Sequence, residues 1–122
     1  MMDRDAVLLL IEDRPFLSSL QFSLAIEGFR IVEAAAGGAD RSRPPLSAVL
    51  VIDQSYGGDG LAALRQLRLQ GCELPAITLA TNPTVSLRAS AAALGAELIE
   101  KPLLGDELSL AIRGLLEKRK AA

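Results

Sequence analysis

Short apolar runs recur along the chain and set its frame. Ala6–Ile11 (AVLLLI) and Ala48–Ile52 (AVLVI) hold no polar residue, the pattern of strands buried on both faces of a parallel sheet. Ala76–Ala80 (AITLA) is a third such run and Glu97–Glu100 (ELIE) a weaker fourth. Phe29–Ala34 (FRIVEA) alternates apolar and polar residues, as an edge strand should. Helical periodicity fills the gaps. Pro15–Glu27 opens with proline, places Leu17, Leu20 and Leu24 on one face and stops at Gly28. Leu61–Gln70 aligns Leu61, Leu64 and Leu67 and ends at Gly71. Asn82-Pro83 reads as an N-cap followed by proline at the first helical position, leading an Ala-rich helix that ends at Gly95. Asp106–Lys118 turns Leu108, Ile112 and Leu115 inward and finishes with basic residues that suit a helix C-terminus. Between Ala35 and Ser47, Gly37-Gly38 and Pro44-Pro45 allow at most a short helix or an irregular loop.

The order is therefore β-α-β-(short α or loop)-β-α-β-α-β-α. That order predicts an α/β fold with a doubly wound, five-stranded parallel sheet and a short or irregular second helix. With no internal repeat, residues 1–122 read as a single domain.

Composition narrows the chemistry. Half of the residues are apolar but only 3% are aromatic, so the core is aliphatic. A net charge of −2 gives no reason to expect nucleic-acid binding. The absence of histidine removes histidine bases, histidine metal sites and the Ser/His and Cys/His catalytic arrangements. The lone Cys72 cannot form an internal disulfide and fits a reducing, cytoplasmic setting. The N-terminus lacks the shape of a signal peptide, and no apolar run approaches the ~20 residues needed to span a bilayer.

In a doubly wound sheet, ligands bind at the carboxyl ends of the strands. Here the first run ends in Glu12-Asp13, the mid-chain run in Asp53, the next in Ala80-Thr81 and the last in Lys101-Pro102. Three carboxylates and one ammonium are thus expected at one sheet edge. Adjacent carboxylates repel unless a cation relieves them, and a hard divalent ion such as Mg²⁺ takes oxygen ligands. Taken singly, each acid has a plainer use: Asp13 could cap the helix near Pro15, and Asp53 could open a turn. Caps alone give no reason for one sign of charge at neighbouring strand ends and the opposite sign at another.

At these residues the sequence resembles the receiver domains of two-component response regulators, over nearly its whole length. The matching pieces are VLLLIED, VLVID with a loop closing in DG and the helix LAALRQLR, then LPAITLAT, then LGAELIEKP. The resemblance implies a flavodoxin-like topology and a cytoplasmic signalling protein that is a phosphoacceptor rather than an enzyme, at most catalysing its own phosphoryl transfer and hydrolysis. It implies that Asp53 takes a phosphoryl group from a sensor histidine kinase or phosphotransfer protein. Glu12, Asp13 and Asp53, with the Ser55 backbone carbonyl, would hold Mg²⁺, and Lys101 would meet the phosphoryl oxygens. A cis Lys101-Pro102 bond is also implied. An output domain, a partner protein or a homodimer would read a surface formed by the last two helices and the last strand. Nucleic acid and membrane are not expected as direct partners of this domain.

The chain departs from the family at its switch positions. The hydroxyl residue usual at the end of the fourth strand is Ala80 here, with Thr81 one residue late and turned to the other face by strand alternation. The aromatic usual three residues before the lysine is Leu98. The loop QSYGGDG lacks the family's proline and is one residue short, and Tyr56, the only tyrosine, lies in it. These departures favour a second reading, a receiver-like interaction module that acts without phosphorylation. A third, a flavodoxin-like or phosphatase-like enzyme, fits less well. Ser55 stands where related phosphatases often carry a second acid, and Glu12-Asp13-Arg14-Pro15 replaces a flavin-type Ser/Thr/Gly loop.

Overall fold

The structure is a computed structural model that describes residues 6–33, 48–103 and 105–121. Five strands, β1 (Ala6–Leu10), β2 (Arg30–Glu33), β3 (Ala48–Asp53), β4 (Ala76–Ala80) and β5 (Ala96–Glu100), form one parallel sheet in the order β2-β1-β3-β4-β5. Among the described residues, four helices accompany them: α1 (Arg14–Ile26), α2 (Gly60–Leu69), α3 (Val85–Ala93) and α4 (Glu107–Ala121), with a 3-10 turn at Tyr56–Gly58. The segment expected to be a short helix or loop between Ala35 and Ser47 lies outside the described residues.

The unbroken apolar runs have the cause the sequence suggested, since the sheet has a core on each side. Val7, Leu9, Val49, Val51, Ile77 and Leu79 face α1 and α4, meeting Leu20, Leu24, Leu108, Ile112 and Leu116. Ala6, Leu10, Leu50, Ile52 and Ala76 face α2 and α3, meeting Leu61, Leu64 and Ala91. Burying one such aliphatic side chain stabilises by about 1.5–3 kcal/mol. Within the alternating FRIVEA segment, Arg30–Glu33 forms β2, at the sheet edge.

Two local readings need correction. Asn82 does not cap α3. It sits at φ 47, a left-handed conformation that asparagine tolerates but an N-cap does not adopt. The cap is Thr84, extended at φ −80 and ψ 166, and its Oγ1 accepts the Leu87 N–H at 3.0 Å. On α4 the innermost third position is Leu116 rather than Leu115, which is only partly buried; i, i+4, i+8 spacing from Leu108 through Ile112 keeps one face to the sheet.

Candidate phosphoacceptor site

Strand order places the site. The chain winds outward from β1 in one direction to β2 and in the other to β3, so the switch point of the sheet lies between β1 and β3. Their register pairs Leu10 with Ile52, which brings Glu12 and Asp13, just past β1, beside Asp53 at the end of β3. β5 lies two strands away, and the Lys101 N–H donates to the Ala80 carbonyl at 2.8 Å, extending the β4–β5 pairing to the lysine. The Lys101-Pro102 bond is cis.

Asp53 is 1% exposed, and both of its carboxylate oxygens are engaged. The Lys101 ammonium donates to Oδ1 at 2.7 Å, and the Ser55 backbone N–H donates to Oδ2 at 3.0 Å. The Ser55 hydroxyl also donates to Oδ2. Burial works to raise the Asp53 pKa. The Lys101 and Ser55 hydrogen bonds and the lysine charge outweigh it, so the carboxyl titrates below its ordinary value and is ionised at neutral pH. Lys101 is itself steadied by the Phe16 ring, whose centroid lies 5.2 Å from Nζ.

The loop after Asp53 is held from within. Gln54 Nε2 donates to Asp59 Oδ1, and Gln54 Oε1 accepts the Leu61 N–H, both at 3.0 Å. Gly57 and Gly58 take the left-handed φ values of 62 and 88 that close the 3-10 turn. Gly60 sits against the Asp53 carbonyl, with Gln54 Cα and Ile52 Cγ2 each 3.0 Å from where a β-carbon would be. Tyr56 packs against the α2-side core.

The remaining predicted residues are close by but differently occupied. Glu12 and Asp13 are both exposed, and Asp13 Oδ1 caps α1 by accepting the Phe16 N–H at 3.1 Å. The Ser55 carbonyl accepts the Gly58 N–H at 3.0 Å. All-oxygen donors at a strand-order switch fit a hard divalent cation in chemistry and in place. As these side chains stand, no three acidic groups among the described residues lie close enough together to grip one. Thr81 is exposed and, with Asp13, Phe16 and Lys101, lines a groove of about 630 Å³ between α1 and α4. Ala80 is buried, and Leu98 packs against the α2-side core.

Three participants escaped the sequence reading: the Ser55 hydroxyl, Phe16 and Gly60. The alternation of strand and turn flags Ser55 only as a loop residue. Phe16 looks like one more apolar position of α1, although it lies three residues past the acid Asp13, within reach of the same edge. Gly60 follows Asp59, and that Asp-Gly pair signals a turn without saying which atoms it must clear.

Fold and site together define a flavodoxin-like α/β domain with an ionised, lysine-paired carboxylate at its ligand edge. No protein-family model matches the chain. By sequence it is similar to response regulator MprA of Mycobacterium leprae (strain TN), 35% identical over 93% of this chain and 52% of that protein. MprA of Mycobacterium avium (strain 104) is 34% identical over the same shares. The chain thus spans about half the length of the curated relatives it matches. Among solved structures, the receiver domain of NtrX from Brucella abortus is 27% identical, with a TM-score of 0.76 over 93% of this chain and 98% of that one. A CheY-like receiver domain from Methanospirillum hungatei JF-1 shares the fold at a TM-score of 0.83 over 98% of both chains, at 19% identity. The chain belongs to the response-regulator receiver domains of two-component signal transduction. Among the described residues, no helix is long and apolar enough to cross a membrane.

Proposed function

We propose that this domain accepts a phosphoryl group on Asp53 and relays it as a conformational signal. The observation that carries this reading is the Lys101 ammonium 2.7 Å from a buried carboxylate at the switch point of the sheet. Phosphoryl transfer asks little covalent chemistry of a protein; it needs an in-line nucleophile and cations that share the developing charge. One Asp53 oxygen forms a bond to phosphorus as the bond from phosphorus to the donor's imidazole nitrogen breaks, the electron pair staying with the imidazole. Lys101, now paired with Asp53, would follow the charge onto the phosphoryl oxygens. Glu12, Asp13, Asp53 and the Ser55 carbonyl would hold Mg²⁺, which would supply positive charge to offset that of the phosphoryl oxygens. The phosphate donor is a histidine kinase or phosphotransfer protein, and residues 1–122 act as one receiver unit, a phosphoacceptor and not an enzyme with its own substrate.

Acetyl phosphate with Mg²⁺ tests this directly. A Phos-tag gel or intact-mass measurement is expected to show one added phosphoryl group in the wild type and none in Asp53→Asn. An unmodified wild type, beside a control receiver that does label, overturns the reading.

A second reading has specific support. Ala80 offers no hydroxyl and Leu98 no ring, so a receiver-like module that binds its partner without phosphate is the competing function. It predicts that Asp53→Asn leaves partner binding unchanged.

A further inference from the structure

The Lys101 ammonium is held by two unlike partners. It carries three N–H donors, of which Asp53 Oδ1 takes one at 2.7 Å. The second partner is the Phe16 ring, its centroid 5.2 Å from Nζ, within the range in which a ring face attracts a cation. Phe16 stands in the first turn of α1, where Asp13 Oδ1 accepts its N–H at 3.1 Å. The residue is half-buried and packs against the core beneath α1 and α4. Lys101, by contrast, is 27% exposed and lines a groove that the exposed Asp13 and Asp106 also line.

We infer that Phe16 is a positioning residue for phosphoryl transfer, its ring face keeping the Lys101 ammonium at the site while the Asp53 carboxylate becomes an acyl phosphate. The inference rests on the reading of Asp53 as phosphoacceptor. As an Asp53 oxygen bonds to phosphorus, the bond from phosphorus to the donor breaks and its electron pair leaves with the donor. The carboxylate thereby loses the charge that now holds Lys101. The ion pair is spent in the very step that needs the lysine. The attraction of the ring is not spent, because it acts on the ammonium charge and uses no N–H as a hydrogen bond. The donors stay available for the phosphoryl oxygens, with which a charged pair bonds strongly. Without the ring, a flexible four-carbon stem lets the ammonium turn toward water or toward the Asp13 and Asp106 carboxylates. A charge already held in place needs no reorganisation during the reaction.

The test changes the charge of the ring while nearly keeping its shape. A trifluorinated phenylalanine, whose fluorines withdraw the negative charge of the ring face, is placed at position 16 of the full 122-residue chain by codon suppression. Its rate of labelling by radiolabelled acetyl phosphate with Mg²⁺ is compared with that of the wild type and of Phe16→Leu. Both variants are expected to label roughly three- to fivefold more slowly, the effect of one partly exposed cation–ring contact. The same trifluorination of Phe29, whose ring faces the Arg113 guanidinium at 4.8 Å, is expected to leave the rate unchanged. A wild-type rate in either variant at position 16 overturns the inference; slowing by leucine alone would make the ring a matter of packing. Equal slowing from Phe29 overturns it as well. Each of these results leaves Asp53 as the acceptor, whereas a wild type that takes no label overturns both readings.

Discussion

Asp53 and Thr78 lie on adjacent strands, one residue out of register, and both are sealed from solvent, at 1% and 0% exposure. Asp53 has a partner for each oxygen, supplied by β5 and by the loop that follows it. Thr78 Oγ1 has none among the described residues. It lies between Ile52 and Leu98 in the sheet register, two residues before Ala80, where β4 offers only aliphatic neighbours. The end of β3 is thus built around a buried charge, and the inner half of β4 tolerates a buried dipole it does not use. An unpaired buried hydroxyl costs about 1–3 kcal/mol, and an unpaired buried carboxylate costs more. On the proposed reading, the difference assigns the chemistry to β3 and the residue after β5 and leaves β4, the family's usual place for a switch hydroxyl, as packing.

The largest effect that could break this contrast comes from removing the partner of the buried charge. Lys101→Met is expected to lose about 3 kcal/mol at pH 7 in urea unfolding, near the lower end for a buried pair because the lysine is 27% exposed. The loss has a predictable pH dependence. In the wild type the Asp53 pKa is lowered, so its contribution is complete above the ordinary carboxylate pKa of about 3.9 and fades as pH falls through the folded value. In the variant, burial without the lysine raises that pKa, and protonation relieves the stranded charge as pH falls. The gap between the two proteins should therefore narrow from pH 7 toward pH 4. A gap that stays constant would mean that the lost packing of the lysine stem near Phe16 matters more than the charge.

A smaller effect is expected from the backbone that frames the same carboxylate. Gly60→Ala places a methyl group against the Asp53 carbonyl, Gln54 Cα and Ile52 Cγ2. Two of these three are backbone atoms that cannot rotate aside. Overpacking of this kind costs about 1–3 kcal/mol, and here the strain falls on the residue that must present its carboxylate to Lys101. Urea unfolding reads the stability loss, and acetyl phosphate labelling should slow in the same variant. Normal labelling in a destabilised Gly60→Ala would show that the loop sets stability without setting the site.

How much of this was legible in the sequence depends on the range of the interaction. The apolar runs gave the strands because parallel strands are buried on both faces, and the residue after each run gave Asp53 and Lys101 because strand ends converge. The cap of α3 was misplaced by two residues because Asn82-Pro83 carries a strong local signal, while Thr84 wins only once the backbone at Asn82 turns left-handed. Leu116 displaced Leu115 because the phase of α4 is set by the sheet below it. Asp13 does cap α1, and the Ser55 N–H does close a turn onto Asp53, so the plainer uses of these acids coexist with a site rather than excluding it. The Ser55 hydroxyl could not be read, since nothing in the string tells which way a loop serine turns.

The smallest change runs in the opposite direction. Thr78→Val replaces the orphan hydroxyl with a methyl group of nearly the same shape, between Ile52 and Leu98 on the α2 side of the sheet. A threonine-to-valine change is ordinarily unfavourable when the hydroxyl is bonded. Here the hydroxyl has no bond to lose, and its desolvation is already complete in the folded state. Thr78→Val is therefore expected to raise stability by about 1 kcal/mol in urea unfolding, with phosphoryl labelling at Asp53 unchanged. If stability rises but labelling falls, the hydroxyl of Thr78 takes part in the chemistry after all, and β4 regains the role that Ala80 cannot fill. If stability falls, the hydroxyl finds a partner in solution and the contrast between the two strands dissolves. Only a more stable protein with an unaltered acceptor leaves the division between them intact.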